Sequence, residues 1–169
     1  MIARLLALRG CRKNEFATLE WNEVDFDRGC FRFKEKRGSE KTIKGGYVRP
    51  IGRAALHLLR NIRDRLPSAN KSNYVFSGFG VEGPYQGLAK AWQRMGIEFS
   101  PHCLRHAFGS AVDVDCGYGR STVAELLGHK TKESVTDVYV HTPDAVFVAA
   151  ADKVSGWIEQ MMASGSKSA

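Results

Sequence analysis

Hydrophobic residues at the start of the chain recur at helical spacing. The run from Ile2 to Leu8 follows the 3.6-residue period of a helix, and Gly10 ends it. The same spacing resumes with Phe16 and Leu19. The pattern therefore predicts two helices joined by a turn, with Arg12 at the junction, where its side chain is free to project.

The pattern changes to short alternating runs between residues 24 and 51. Three runs have the two-residue period of strands, and Gly29, Gly38, Gly45 and Gly46 separate them. These runs predict a small antiparallel sheet, with a basic hairpin loop over residues 36–46.

The remainder of the chain again favours helices. The predicted segments are 54–66, which Pro67 stops; 84–95; a buried helix carrying Arg105 and Phe108; a helix capped by Ser121 or Thr122; and a last helix from Thr142–Pro143 to Met161. A short strand or extended piece is expected at 74–76. The fold class is thus α+β, mostly helical, with a small antiparallel sheet near the N-terminus. We expect one domain over residues 1–163 and a flexible tail over 164–169.

Charge adds a candidate partner to this picture. The formal net charge of the 169 residues is +7, and the stretch from Arg28 to Arg53 carries nine basic against two acidic residues. This concentration favours a surface that contacts phosphates, although a solvated basic face is the ordinary alternative. No run approaches the roughly 20 apolar residues of a membrane span. The four cysteines form no CxxC pair, which argues against a zinc site or a disulfide framework and favours a cytoplasmic setting.

Three local groups carry the candidate chemistry: residues 10–15, residues 102–106, and residues 127–129 with a tyrosine downstream. Each group alone has an ordinary structural explanation. Together they form an inventory for phosphoryl transfer without a metal. Arg12 and Arg105 are candidates for gripping phosphate oxygens through paired N–H donors. His102 is a candidate acid–base group, His129 a further donor, and Tyr139 a nucleophile able to form a covalent link.

The chemistry of tyrosine explains why such helpers are needed. A free tyrosine has a pKa of about 10, so only about a thousandth is phenolate at neutral pH. Nearby cations favour the phenolate, and the leaving 5′-oxygen needs an acid. A lysine on the basic hairpin suits that task, and Lys41 and Lys44 lie in the right segment. The sequence contains no HExxH motif and no GxSxG motif, so a zinc protease and a serine hydrolase are poorly supported.

At these residues the chain resembles the tyrosine recombinases of the phage-integrase family. The segment from Gly10 to Glu15 resembles the first arginine box, and the segment from His102 to His106 resembles the His-x-x-Arg box. The third match is Leu127-Gly-His129 followed by Tyr139. Val48-Arg-Pro-Ile51 and Tyr74-Val-Phe76 match in the same order, so that the resemblance covers nearly the whole chain.

The resemblance implies a role for each residue. Tyr139 forms a 3′-phosphotyrosine and releases a 5′-hydroxyl, while Arg12, Arg105 and His129 hold the scissile phosphate. His102 is the acid–base histidine, a hairpin lysine is the general acid, and His106 gives structural support. No cofactor and no metal are implied. The implied partner is double-stranded DNA, bound by a homotetramer in the cytoplasm at the nucleoid, with no membrane. The implied function is site-specific recombination or integration of phage or mobile-element DNA.

The chain departs from the family pattern at three points. Thr42 lies where the hairpin lysine is usual, eight residues before Pro50, and one extra hairpin residue brings Lys41 into that place. Lys44 is the other choice. Tyr139 follows His129 by ten residues, where nine is commoner. The separate N-terminal DNA-binding domain of the family is expected to be absent, which predicts a catalytic fragment or a truncated gene product. Two alternatives stay open, a type IB topoisomerase-like enzyme and a catalytically silent DNA-binding remnant.

Overall fold

The computed structural model describes residues 1–33, 47–66, 72–78, 81–129 and 144–165, the side chains of residues 78, 81 and 82 excepted. Within these ranges lie seven α-helices and five short strands. The helices are α1 (Ile2–Arg9), α2 (Lys13–Ala17), α3 (Arg53–Asp64), α4 (Leu88–Arg94), α5 (Pro101–Ser110), α6 (Arg120–Leu127) and α7 (Ala145–Gly165). The strands are β1 (Val24–Asp25), β2 (Cys30–Phe33), β3 (Tyr47–Pro50), β4 (Ser77–Gly78) and β5 (Val81–Pro84). The predicted fold class is confirmed.

The three-stranded sheet has the order β1-β2-β3, and both pairings are antiparallel. Phe31 of β2 lies opposite Arg49 of β3, and Phe33 lies opposite Tyr47. Phe31 and Phe33 are buried, as is Phe16 of α2, whose ring meets Phe31 edge to face with centroids 6.0 Å apart. The sheet therefore packs its aromatic residues against α2, directly beside the predicted first arginine box.

Helix α1 lies at the centre of the hydrophobic core. Leu5, Leu6 and Leu8 are at most 1% exposed, and the helix packs against α3, α5 and α7. Helix α5 continues beyond Ser110 into one π-helical turn over Ala111–Asp115. Because α1 contacts α5 directly, the turn that follows α1 is held next to the helix that carries the His-x-x-Arg sequence.

A second antiparallel pair, β4 with β5, corrects the prediction of a helix from residue 84. Pro84 ends β5 opposite Ser77, and the helix begins only at Leu88. Proline suits the end of a strand because it has no N–H to donate to a ladder. The expected extended piece at 74–76 is present, since the Val75 N–H donates to the Leu19 carbonyl over 2.8 Å.

Several helix ends differ from the sequence-based expectation. Gly119, with no side-chain cap, precedes α6, so neither Ser121 nor Thr122 is its N-cap. Thr142 and Pro143 lie outside the described residues. The Asp144 carboxylate instead accepts a hydrogen bond from the Val146 N–H over 2.8 Å at the start of α7. Helix α7 runs to Gly165, two residues into the segment for which a tail was predicted. No described helix is long and apolar enough to cross a membrane.

Candidate active site

One cavity of about 560 Å³ collects four of the six predicted site residues. The cavity lies between helices α5 and α6 and the loops that follow α1 and α6. The predicted residues that line it are Arg12, His102, Arg105 and His129. The other lining residues are His106, Gly109, Ser110, Asp113, Val114, Arg120, Val123, Ala124 and Leu127. The three separate sequence groups therefore converge on a single concave surface.

Arg105 is 5% exposed and is fixed by two backbone carbonyls. Its two terminal nitrogens donate to the Gly10 carbonyl over 2.7 Å and to the Leu127 carbonyl over 2.9 Å. A guanidinium has five N–H groups, so these two bonds leave three for a ligand. Burial lowers the pKa of Arg105, and the nearby Arg12 lowers it further. Arg12 and Arg105, two cations held close together in one cavity, are suited to binding an anion.

Gly10 places its carbonyl toward Arg105 because of its own backbone conformation. It ends α1 with φ +63°, a left-handed conformation that favours glycine. A Cβ at this position would lie 2.5 Å from a ring carbon of Phe108, so a larger residue does not fit. The predicted break at Gly10 is thus also a point of close packing between α1 and α5.

Arg12 immediately precedes α2, and Glu15 holds it there. The Glu15 carboxylate accepts the Arg12 backbone N–H over 2.9 Å and its terminal Nη1 over 3.2 Å. The Arg12 side chain is 33% exposed, whereas that of Glu15 is 1% exposed. Glu15 is therefore a buried anchor, and Arg12 reaches from it into the cavity.

His102 lies in the first turn of α5, directly after Pro101 at the helix start. Proline is favoured there because its fixed φ suits a helix and its missing N–H is not needed. The His102 ring meets His106 edge to face, with centroids 4.6 Å apart, and both histidines are exposed on the cavity wall. His106, expected to give structural support, thus lines the cavity beside His102.

His129 is presented by a Schellman turn at the end of α6. The Gly128 N–H donates to the Glu125 carbonyl over 3.0 Å, and the His129 N–H donates to the Ala124 carbonyl over 2.7 Å. Gly128 has φ +66°, the left-handed conformation this turn requires. The sequence Leu-Gly-His therefore ends the helix and turns the histidine into the cavity.

A buried cation behind the cavity was missed by the sequence-based reasoning. Arg49 of β3 is 1% exposed, and it donates to both carboxylate oxygens of Glu15, over 3.1 and 3.4 Å. It also donates to the Cys11 thiol over 3.3 Å, and Tyr47 donates to Glu15 over 3.4 Å. Burial alone would raise the pKa of Glu15, but Arg49 and the Arg12 N–H outweigh it and lower that pKa.

A second buried arginine, Arg9, was also missed. It is 0% exposed and donates to the Leu126 carbonyl over 2.6 Å, and burial lowers its pKa to about 10. Sequence patterning assigns an arginine to the surface by default. The available signal was its helical spacing, because Arg9 lies four residues after Leu5 and three after Leu6, both of which are buried.

Two predicted site residues, Lys41 and Tyr139, lie outside the described residues, as does Lys44. Arg120, Ser110 and Asp113 line the cavity and were not predicted. Ser110 lies four residues after His106, and Asp113, in the π-helical turn, lies three residues after Ser110, so both continue the helix face that carries His106 and the periodicity gave a usable signal for them.

Solved structures of known proteins share the fold of this chain. The integrase from mycobacterium phage Brujita has a similar fold (TM-score 0.61, 21% identity, covering 90% of this chain and 50% of that chain). The crystal structure of XerA recombinase does too (TM-score 0.58, 20% identity, 91% and 55%). The fold is therefore that of integrases and recombinases.

The family model described as "Phage integrase family" matches residues 1–145, and the chain belongs to this family. Tyrosine recombinase XerD of Brucella suis is 34% identical over 141 residues, covering 78% of this chain and 44% of that protein. Prophage integrase IntF of Escherichia coli K12 is 28% identical over 165 residues, covering 92% and 33%. The resemblance found in the sequence is confirmed. The chain spans about half or less of the length of these relatives.

Proposed function

We propose that this chain is a site-specific DNA recombinase or integrase domain that cleaves and rejoins DNA through a phosphotyrosine at Tyr139. The observation that carries the proposal is the convergence of Arg12, His102, Arg105 and His129 on one cavity. These residues come from three distant parts of the sequence. Their side chains supply positive charge and acid–base groups, which suit a phosphodiester under nucleophilic attack.

In the proposed reaction Arg12 and Arg105 hold the two nonbridging oxygens of the scissile phosphate. Charge on these oxygens grows during attack, and fixed donors in a cavity stabilise it most strongly at that moment. The bonds from Arg105 to two backbone carbonyls keep its remaining donors aimed in one direction. His129 supplies a further donor from the turn after α6.

The covalent step exchanges one phosphate ester for another. The Tyr139 oxygen attacks phosphorus and loses its proton to His102, while the bond from phosphorus to the 5′-oxygen breaks. That oxygen takes a proton from Lys41, or from Lys44 if the hairpin register differs. The product is a 3′-phosphotyrosine and a free 5′-hydroxyl. Rejoining runs the same exchange in reverse, so the bond energy is retained and the step consumes no nucleotide.

The proposed partner is double-stranded DNA. The basic residues between Arg28 and Arg53, apart from the buried Arg49, supply the charge for backbone contacts, which dominate affinity for DNA. The Tn1549 transposon integrase, solved in complex with circular intermediate DNA, supports this partner (TM-score 0.56, 14% identity, covering 89% of this chain and 55% of that chain). We further propose that the domain covers residues 1–163 and works as a tetramer on DNA in the cytoplasm, at the nucleoid.

A nicked suicide substrate tests this function. A pool of duplexes with randomised sequence around the cleavage position carries a nick just beyond it, so that the short released strand diffuses away and traps the covalent complex. The chain is expected to give a band of higher mass that survives denaturation, and sequencing the captured DNA identifies its target.

Arg105→Ala should give no covalent band while it still binds DNA. Retention of a normal band in this variant would contradict the phosphate-binding role. DNA binding by the parent chain without any covalent band would instead identify a silent DNA-binding remnant. Relaxation of supercoiled plasmid without paired sites would identify a topoisomerase-like activity.

A further inference from the structure

The buried Arg49 guanidinium connects two of the cavity's walls. On one side it binds Glu15 through both terminal nitrogens, over 3.1 and 3.4 Å. Glu15 in turn binds the Nη1 and the backbone N–H of Arg12. Arg12 is therefore bound to the Glu15 carboxylate, and Arg49 on strand β3 sets the position of that carboxylate.

On its other side Arg49 packs against the turn after α6. A Cβ built on Gly128 would overlap the Arg49 guanidinium, so the backbone of the Schellman turn lies in direct contact with it. The next residue is His129, which lines the cavity. The Arg49 side chain therefore contacts both Glu15, which holds Arg12, and the turn at Gly128, which presents His129.

We propose that Arg49 is a positioning residue for Arg12 and His129. This inference rests on the proposed function, since it concerns the residues assigned there to phosphate binding. Without Arg49, Glu15 keeps a buried negative charge and Arg12 becomes its closest cation. Arg12 is then drawn toward Glu15 and away from the cavity. The turn that carries His129 also loses its packing contact with the Arg49 guanidinium.

The first test compares the single-turnover cleavage rate of Arg49→Met with that of the parent chain on the nicked substrate. Misplacing groups at a reacting centre by about 1 Å costs roughly 100-fold in rate, and we expect a loss of this order. DNA affinity should stay unchanged because Arg49 is buried. Ile62→Ala, in the core on α3, is the control for lost stability, and Arg63→Met, on the surface of the same helix, is the control for a lost cation. Both should cleave at the parental rate.

Arg49→Lys is the second variant, and it carries the test if the methionine variant fails to fold. A lysine keeps the charge that neutralises Glu15, but its single ammonium cannot reproduce the two-pronged contact of a guanidinium. We expect a rate between those of the parent and Arg49→Met. A folded Arg49→Met or Arg49→Lys that cleaves at the parental rate would overturn the proposal.

A readout without DNA separates this inference from the proposed function. The side-chain ¹H–¹⁵N signals of His129 should shift in both Arg49 variants and stay in place in Ile62→Ala, while those of His57 on α3 should move in neither Arg49 variant. Unmoved His129 signals would overturn the positioning role. If the parent forms no covalent product but the His129 signals still shift, the proposed function fails and the positioning role stands.

Discussion

Gly128→Ala tests quantitatively how much the packing of Arg49 against Gly128 contributes to the free energy of unfolding. Gly128 has φ +66°, and placing an alanine in this left-handed conformation costs about 1 kcal/mol. In addition, the new Cβ would overlap the Arg49 guanidinium. Arg49 then has to leave its place against Glu15, and breaking a buried ion pair costs about 3–5 kcal/mol. The expected total loss is about 4 kcal/mol or more in the free energy of unfolding.

Gly117→Ala is the matched control for this substitution. Gly117 has φ +72°, a similar left-handed conformation, but a Cβ there meets nothing within 4 Å. It should therefore lose only about 1 kcal/mol. The difference of about 3 kcal/mol between the two variants isolates the contact with Arg49, because the conformational cost is common to both.

Urea unfolding followed by circular dichroism measures this difference, read from the midpoint at constant slope. Adding Arg49→Met to Gly128→Ala removes the overlap, so the two substitutions should be far from additive. Equal stabilities for Gly128→Ala and Gly117→Ala would refute the account, because they would show that Arg49 moves aside without cost.

Three further predictions follow from the site. Arg12→Ala and Arg105→Ala should each abolish covalent capture of the nicked substrate and leave binding in a gel-shift assay largely intact; near-normal capture in either would remove that arginine from the phosphate clamp. Lys41→Ala should lose cleavage and regain it on a substrate with a 5′-thiolate leaving group, which needs no acid; rescue of Lys44→Ala instead would move the acid to Lys44. The lowered pKa of Glu15 means that its ion pair stabilises the fold above the unfolded pKa of about 4.3 and that this contribution is lost as the pH falls through the lower, folded pKa. Urea midpoints from pH 7 to pH 3 should therefore drop more steeply for the parent than for Glu15→Gln, and parallel curves would contradict this.

Periodicity and motif spacing were sufficient for most of the fold and for the clustering of the site. Gly10 was predicted as a helix break, and the structure shows the left-handed residue that such a break requires. The spacing of His102 and Arg105 on one helix placed both on the same wall of the cavity. These features are local, so the sequence nearby determines them.

The features that were missed depend on contacts between distant residues. Arg9 and Arg49 are charged and fully buried, and their partners lie 117 and 34 positions away along the chain. The sequence around either arginine does not indicate which residues those partners are. The error at Pro84 has a different cause, because its partner Ser77 lies only seven positions away, and the pairing of the two short strands, rather than helical periodicity, places Pro84 in a strand.

The central claim is that Tyr139 becomes bonded to DNA, and peptide mapping of the covalent complex tests it most directly. The trapped complex is digested with nuclease and protease, and mass spectrometry locates the nucleotide adduct. We predict the adduct on the peptide that contains Tyr139, its loss in Tyr139→Phe, and its retention in Tyr118→Phe, a half-buried tyrosine packed beside Lys153. An adduct on another residue, or one that persists in Tyr139→Phe, would contradict the account.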